Sequence, residues 1–464
     1  MWKHAVACLI CDGDSHVHSI VTTSDLQRLI RQVGTSLAAR TSDIATDMNQ
    51  GSRIKFFGTR GSAEAYAIRD FLHRCDVPFE WIDLTSSEQA LEQARVTGPD
   101  DERLPVCVFP DGTRLHHATV RKITEKLGWF KNPSRSEYDL SIYGAGPAGL
   151  SAAVYGASEG LKTVVVERLT VGGQAGTSPK IENYLGFPDG VSGAQLAERA
   201  RTQAERFGAE ILILREGVRG EFLPGRGIGY LADGTKITAR ASLCATGMDY
   251  RKLNLPNEDR FSGAGVYYGA GASEAAFCTG DHVFIVGGGN SAGQAALHFA
   301  RYASKVTIVV RGESLKNTVS EYLAERVASS PRIDVLPQTE VTALHGDRML
   351  TAITLRNTQT QVEETVAISW LFLCLGGVPH TQWAAEVGIL RDEGGYLLTG
   401  ADLMNGSQRP SNWPLNREPY YLETNIPGVF AAGDVRHGSI KRFASAVGEG
   451  AMAVSIIHRY LANG

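Results

Sequence analysis

A chain of 464 residues has room for about three domains. Its 46 lysines and arginines against 50 aspartates and glutamates leave a net charge of −4, so no nucleic acid and no anionic membrane is implied as a partner. No apolar run approaches the roughly eighteen residues of a membrane span, and the apolar start, Met1 to Ile10, is broken by Lys3 and His4 and too short for a signal peptide. The expected location is therefore cytoplasmic. Seven cysteines, an odd number, argue against a disulfide framework. Glycine is the outlier: 51 in 464 residues is about 11%, against roughly 7% on average, and the excess clusters after apolar runs as phosphate-binding turns do.

Residues 1–50 show little pattern beyond an amphipathic helix within Ser24 to Met48, where Leu26, Leu29, Ile30 and Val33 share a face. Cys8-Leu9-Ile10-Cys11, with His16 and His18 nearby, reads as a redox dithiol, as part of a zinc site, or as nothing functional. The irregular Cys-Cys-His-His spacing weighs against the metal, and no metal site is expected.

Residues 51–130 alternate strands and helices. Arg53 to Gly58, Val77 to Leu84 and Leu104 to Phe109 read as strands. Ser62 to Arg74, Ser86 to Ala94 and Val120 to Trp129 read as helices, and Asp111-Gly112 as a hairpin turn. This order resembles the thioredoxin or glutaredoxin fold, with Phe57-Gly58-Thr59-Arg60 and Leu104-Pro105-Val106 similar to the glutaredoxin strand and its cis-proline turn. The resemblance implies a C-x-x-C at the start of the first helix, but that slot reads Ser62-Ala63-Glu64-Ala65. Without a thiolate there is no nucleophile for disulfide exchange, and a domain kept for docking or packing is the expectation. Lys131 to Glu137 is a polar linker containing Pro133.

A dinucleotide frame follows. Asp139 to Tyr143 reads as a strand, Gly144-Ala145-Gly146-Pro147-Ala148-Gly149 as the turn into a helix, and Thr163 to Val166 as the next strand, ending at Glu167. The first glycine makes the tight turn, the second admits a pyrophosphate, and the third lets helix pack on strand; the helix N-terminus supplies amides to the phosphates. Glu167, eighteen residues after Gly149, is placed to accept from an adenosine ribose.

A second copy begins at the strand His282 to Val286, with Gly287-Gly288-Gly289-Asn290-Ser291-Ala292 opening its helix. Twenty-three residues past the first glycine stands Glu167 in the first copy and Val310 in the second. The ribose-binding acid is absent there, and Arg311 and Lys316 follow. Cations without a carboxylate suit a 2′-phosphate, hence NADPH over NADH. Two dinucleotide frames imply two dinucleotides, and a flavin with a nicotinamide is the usual redox pair.

From Tyr138 to the C-terminus the chain resembles the low-molecular-weight bacterial thioredoxin reductases. The motifs that carry this are Gly172-Gly173-Gln174, Ile181-Glu182-Asn183-Tyr184, Ala245-Thr246-Gly247, Leu375-Gly376-Gly377-Val378-Pro379 and Val429-Phe430-Ala431-Ala432-Gly433-Asp434-Val435. Lys441-Arg442-Phe443-Ala444 and Gly448-Glu449-Gly450 fall where the family covers the flavin pyrimidine, although the family there usually has Arg-Gln-Ala. The resemblance implies FAD held around Gly173, Gln174, Asn183, Thr246, Gly247, Gly433, Asp434, Arg442, Phe443 and Ala444. It also implies a homodimer and a rotation of one domain on the other about Arg251-Lys252 and Gly376-Gly377. The expected fold is α/β: two Rossmann-like domains, the NADPH domain (253–375) inserted in the FAD domain (138–252 and 376–464), preceded by the thioredoxin-like α/β domain.

Thioredoxin reductases carry an Ala-Cys-x-x-Cys shortly before the second glycine motif, and here that stretch is Tyr268 to Glu274, without cysteine. The small residues Gly269, Gly271 and Ala272 suggest open space beside the flavin, where an acceptor approaches directly. No catalytic residue is assigned; Cys8, Cys11 and Cys278 are the candidates. Cys278 reads first as a small helix hydrophobe, and Cys75, Cys107, Cys244 and Cys374 as core residues. The expected activity is hydride transfer from NADPH to FAD and on to an unidentified small-molecule or redox-protein acceptor. The alternatives are a disulfide reductase using Cys8 and Cys11, and a non-enzymatic redox sensor.

Overall fold

The computed structural model describes residues 8–11, 17–21, 53–223, 225–269, 271–406, 408–410 and 413–463. The expected helix within Ser24 to Met48 lies outside them. Near the N-terminus, β1 (Cys8–Cys11) pairs antiparallel with β2 (Val17–Val21), with an irregular register between Ile10 and Cys11.

A four-stranded sheet then forms in the order β4-β3-β5-β6 from β3 (Ile54–Gly58), β4 (Phe79–Asp83), β5 (Val106–Val108) and β6 (Arg114–Leu115). The crossover between the parallel strands β3 and β4 is helix α1 (Ala63–Arg74). Ser62 caps it by accepting from the Ala65 amide at 3.1 Å, which satisfies one of the orphan donors of the first turn. Ala65, Ile68, Phe71 and Leu72 form its buried face, spaced three and four apart. The segment read as one helix over Ser86 to Ala94 is a short α-turn, Ser87–Gln89, running into π-helical turns over Ala90–Ala94. The Leu104–Pro105 peptide is cis.

A seven-stranded sheet holds the first dinucleotide frame. Parallel strands β7 (Tyr138–Tyr143), β8 (Thr163–Val166) and β9 (Glu210–Leu212) lie beside β12 (Lys236–Cys244), which also pairs with β23 (Val429–Ala431). Strands β10 (Gly217–Leu223) and β11 (Arg226–Leu231) extend the far edge. Helix α2 (Pro147–Ser158) crosses from β7 to β8 and packs against the C-terminal helix Phe443–Asn463, whose Gly450 lies against the Ala148 carbonyl.

The second frame is a five-stranded parallel sheet in the order β14-β21-β15-β16-β17: β14 (Val266–Tyr268), β15 (His282–Val286), β16 (Lys305–Val309), β17 (Ile333–Leu336) and β21 (Trp370–Leu373). Strands β15, β16 and β21 are buried on both faces beyond their first residues, which is why they read as largely apolar runs, whereas the edge strand β17 is half exposed. The connections between the two frames run side by side: β13 (Met248–Tyr250) pairs antiparallel with β22 (Gly377–Pro379).

Candidate functional site

At the end of β7 the chain turns at Gly144, whose φ is +105° and where an added Cβ would stand 2.3 Å from the Ala245 carbonyl oxygen. Two turns of backbone touch here, so only glycine fits. Gly149 packs still closer: its Cβ would lie 1.9 Å from the Gly144 carbonyl. This is the helix-on-strand contact expected of the third glycine. It lies beneath the cleft, not on its wall. At Gly146, by contrast, nothing stands nearer than the Gly173 Cα at 4.0 Å, which leaves room for a diphosphate over the helix N-terminus.

Glu167, at the end of β8, is almost fully buried. Its oxygens accept from the Ala145 and Leu169 amides, both at 2.8 Å, so the carboxylate is fixed at the cleft edge with lone pairs left for a ribose. Gly146, Pro147, Ala148 and Glu167 line one continuous cleft of about 520 Å³. From further along the chain, Gly173, Gln174, Asn183, Thr246 and Gly247 line it as well. So do Gly433, Asp434, Arg442 and Phe443. Ala444 is exposed and does not; Ala446, two residues on, does.

Several of these residues are held by other parts of the chain. Gln174 Nε2 donates to the Met248 carbonyl at 2.8 Å, and Thr246 Oγ1 to the His380 carbonyl at 3.0 Å. The Gly433 amide donates to Glu449 at 2.7 Å, which explains the acid within Gly448-Glu449-Gly450. Burial raises the pKa of Asp434, with Lys441 opposing, and the Lys441 ammonium donates to the Asp434 carbonyl at 2.7 Å. The shape and donor set fit FAD: a glycine turn for the diphosphate, an acid for the ribose, and a second acid toward the flavin side.

The second motif opens on the same cleft. Asn290 and Ser291 line it, together with Gln294 one turn later, which the motif count had not singled out. Gly287 turns against the Cys374 carbonyl as Gly144 does against Ala245, and an added Cβ at Gly289 would meet nothing within 4 Å, so this turn too has room for a phosphate. Ala292, where the first motif has its third glycine, is fully buried under the helix. Arg311 and Lys316 are exposed and lie outside the cleft. Neither makes an ion pair among the described residues. Their loop packs on the glycine turn, since a Cβ at Gly288 would touch Val310 and Thr318.

One cleft lined by the first glycine turn and by Asn290, Ser291 and Gln294, which follow the second, is the arrangement of an enzyme that brings a nicotinamide to a flavin. Residues 138–450 match the family model described as pyridine nucleotide-disulphide oxidoreductase. The chain belongs to that family.

Among its relatives, the thioredoxin reductase of Streptomyces clavuligerus is 37% identical over 327 residues, 70% of this chain and 94% of the relative. That of Listeria innocua is 34% identical over 326 residues, with the same coverage. The crystal structure of Lactococcus lactis thioredoxin reductase, in what is termed its FR conformation, aligns with a TM-score of 0.63 at 28% identity, covering 70% of this chain and all of that one. The T. acidophilum thioredoxin reductase gives 0.62 at 27%, covering 70% and 99%. This chain is accordingly an NADPH-dependent FAD oxidoreductase of thioredoxin reductase type with two Rossmann-like domains. The family match begins at residue 138, so the glutaredoxin-like domain lies outside it.

For a member of this family the thiols are placed unusually. Cys278 is fully buried, its sulfur within 3.3 Å of the Glu274 carbonyl, and burial pushes its pKa far up. Cys244 and Cys374 line the cleft, but burial pushes both to about 12. Cys107 stands at about 12 and Cys75 at about 11 for the same reason. A thiol so protonated is a poor nucleophile.

Of the small residues expected beside open space, Gly269 lines the cleft and Gly271 does not. Gly271 lies against the Phe372 ring and Gly269 against the Tyr250 hydroxyl. Over the following residues the glutaredoxin-like domain sits down. Arg69 on α1 bonds Glu274 through two nitrogens, at 3.2 and 2.9 Å, and both side chains are buried. The Tyr66 ring meets Tyr267 at 5.1 Å, and Trp81 meets Phe277 at 6.3 Å. The bed on which this domain packs is made by Tyr267, Glu274 and Phe277, not by the small residues between them. A buried Arg–Glu pair between residues 205 apart leaves no local signal, since each charge alone reads as solvated surface.

Proposed function

We propose that this enzyme passes electrons from NADPH through FAD to an acceptor that meets the reduced flavin directly, not through a disulfide of the protein. The observation that carries it is the state of the thiols: Cys244 and Cys374, the two cysteines of the cleft, are held as thiols by burial. The stretch from Gly271 to Glu274, where the relatives' redox motif would fall, is packed and covered instead. A cleft lined by the first glycine turn and by Asn290, Ser291 and Gln294 of the second motif's helix supports hydride transfer in this arrangement of the two domains. Helix α1 grips both: Arg69 reaches Glu274 of the 253–375 domain, and Cys75 Sγ lies 2.9 Å from Thr170 Oγ1 of the FAD domain. That grip opposes rotation about Arg251-Lys252 and Gly376-Gly377.

FAD sits along Gly144 to Gly149, Glu167, Gly173, Gln174 and Asp434, and NADPH along Gly287 to Ala292 with Arg311 and Lys316 at its phosphate. Thioredoxin reductase relatives favour a homodimer and a redox-protein acceptor. Among the described residues no helix is long and apolar enough to cross a membrane, and a cytoplasmic site of action accords with that. Anaerobic titration with NADPH, followed at the flavin absorbance, is the test. One equivalent consumed per flavin supports the reading. Two, falling to one in Cys8→Ser, replace it with a disulfide reductase built on Cys8 and Cys11.

A further inference from the structure

Arg74 ends helix α1, in the domain that the family match does not reach, yet it lines the flavin cleft. Its Nη2 donates to the Gly173 carbonyl at 3.1 Å, and Nη1 lies 3.6 Å from Asp70, a long contact. Its Nε is buried with no partner. The side chain is 11% exposed, so water does not satisfy it in bulk. Gly173 in turn abuts Gly146, the glycine of the first motif that leaves room for a diphosphate: a Cβ on Gly173 would stand 3.2 Å from the Gly146 Cα. A guanidinium carries five N–H donors, and one bond to Gly173 with a long contact to Asp70 leaves others for an acceptor in the cleft that Arg74 lines. Burial works against the charge of Arg74, but Asp70 and Glu167 outweigh it and keep the guanidinium more basic than usual.

The helix is anchored on both sides of this residue. Phe71 and Leu72 are buried in the core, Cys75 contacts Thr170, and Arg69 is paired with Glu274. Arg74 is therefore delivered to the cleft by a fixed element.

We propose that Arg74 is a cofactor-positioning residue by which the glutaredoxin-like domain completes the flavin cleft, its guanidinium taking an anionic oxygen of the bound flavin dinucleotide. The domain has lost the cysteines of its fold but supplies a cation to its neighbour. Two parts of the cofactor carry the required negative charge, the diphosphate and the ring of the reduced flavin, and the experiment separates them.

Arg74→Met and Arg74→Lys are made in the full chain. FAD affinity is measured by fluorescence titration of the apoprotein, and the flavin midpoint potential by spectroelectrochemistry. Arg74→Met is expected to weaken the cofactor about tenfold to a hundredfold, the effect of losing one charge-assisted contact, with Arg74→Lys restoring part of it. Weakening in both redox states with an unchanged potential assigns the diphosphate. A lowered potential with oxidised FAD bound as before assigns the reduced ring. The proposal is overturned if Arg74→Met changes neither quantity. It is also overturned if Arg74→Lys rescues nothing and Arg69→Met, which loosens the docking without touching the cleft, causes the same loss. The inference rests on FAD occupying this cleft, and an Asp434→Ala variant that keeps its full flavin would show that premise failing separately.

Discussion

Arg69 and Glu274 meet in a two-point ion pair, Nη2 to Oε2 at 2.9 Å and Nε to Oε1 at 3.2 Å, with side chains 4% and 0% exposed. Arg69 comes from the glutaredoxin-like domain. Glu274 comes from the stretch in which the resemblance to thioredoxin reductases leads one to look for redox cysteines. The pair is roofed by aromatic rings, with the guanidinium 4.5 Å from the Trp81 centroid and 5.2 Å from that of Phe277. The place of a redox group has become a docking contact.

Removing one partner strands a buried charge. Glu274→Ala or Arg69→Met should each destabilise the protein by about 3–5 kcal/mol, while Arg69→Met combined with Glu274→Leu should recover most of that, because a buried pair gains little over a packed apolar one. Denaturant unfolding measures the cost. Proteolysis in the linker over Lys131 to Glu137 should quicken in the single variants only. A single-variant cost below about 1 kcal/mol would show that the pair does not hold the domains together.

Acid should destabilise the fold around His73 and His298 as well. Burial pushes His298 down to about 4, with Arg301 and His73 adding to the shift. His73 on α1 is also lowered, mainly by burial, with Asp70 and Asp76 opposing and Arg74 assisting. Both folded-state values lie below the usual 6.5, so the unfolded chain takes up protons first. The stability that depends on neutral rings is complete above pH 6.5 and lost as the pH falls toward 4. The thermal midpoint should drop across that window, and the drop should shrink in His298→Phe. An unchanged pH profile in that variant would remove His298 from the account.

The five cysteines at positions 75, 107, 244, 278 and 374 are buried free thiols. In the native protein at pH 8, a thiol-reactive dye should label at most two cysteines per chain rapidly, and Cys8→Ser/Cys11→Ser should abolish that labelling. Fast labelling of Cys374 or Cys244 in the double variant would mean that the cleft holds a reactive thiol after all.

Coenzyme choice should rest on Arg311. A charge-assisted contact to a phosphate contributes about 1.5–3 kcal/mol. Arg311→Ala should accordingly raise the apparent constant for NADPH by roughly tenfold to a hundredfold and leave that for NADH nearly unchanged. Equal losses for both would place Arg311 away from the 2′-phosphate.

The two glycine motifs were legible because their constraints are local. Gly144, Gly149 and Gly287 are dictated by backbone standing within a few residues or one strand away, and the spacing to Glu167 is the length of one βαβ unit. Asp434 and Asn183 were named only through the resemblance of contiguous motifs, and both line the cleft. Sequence reasoning missed Gln294, whose position follows from one more helical turn, and Arg74, which reads as an ordinary basic residue in a helix's last turn. It also misjudged Gly271, which packs against Phe372, since a small residue marks close approach as readily as empty space.

By itself, then, the sequence determined that this chain binds two dinucleotides in tandem α/β frames, and that neither its glutaredoxin-like helix start nor its second frame carries a C-x-x-C. Only the tertiary structure decided that these two losses meet. The helix whose thiol slot became Ser62 to Ala65 lies over the segment from Gly271 to Cys278, joined by Arg69 and Glu274. The reason is physical. Periodicity and turn chemistry act over a few residues, whereas a buried ion pair and an arginine reaching a distant cleft depend on which surfaces come together, and no local pattern records that.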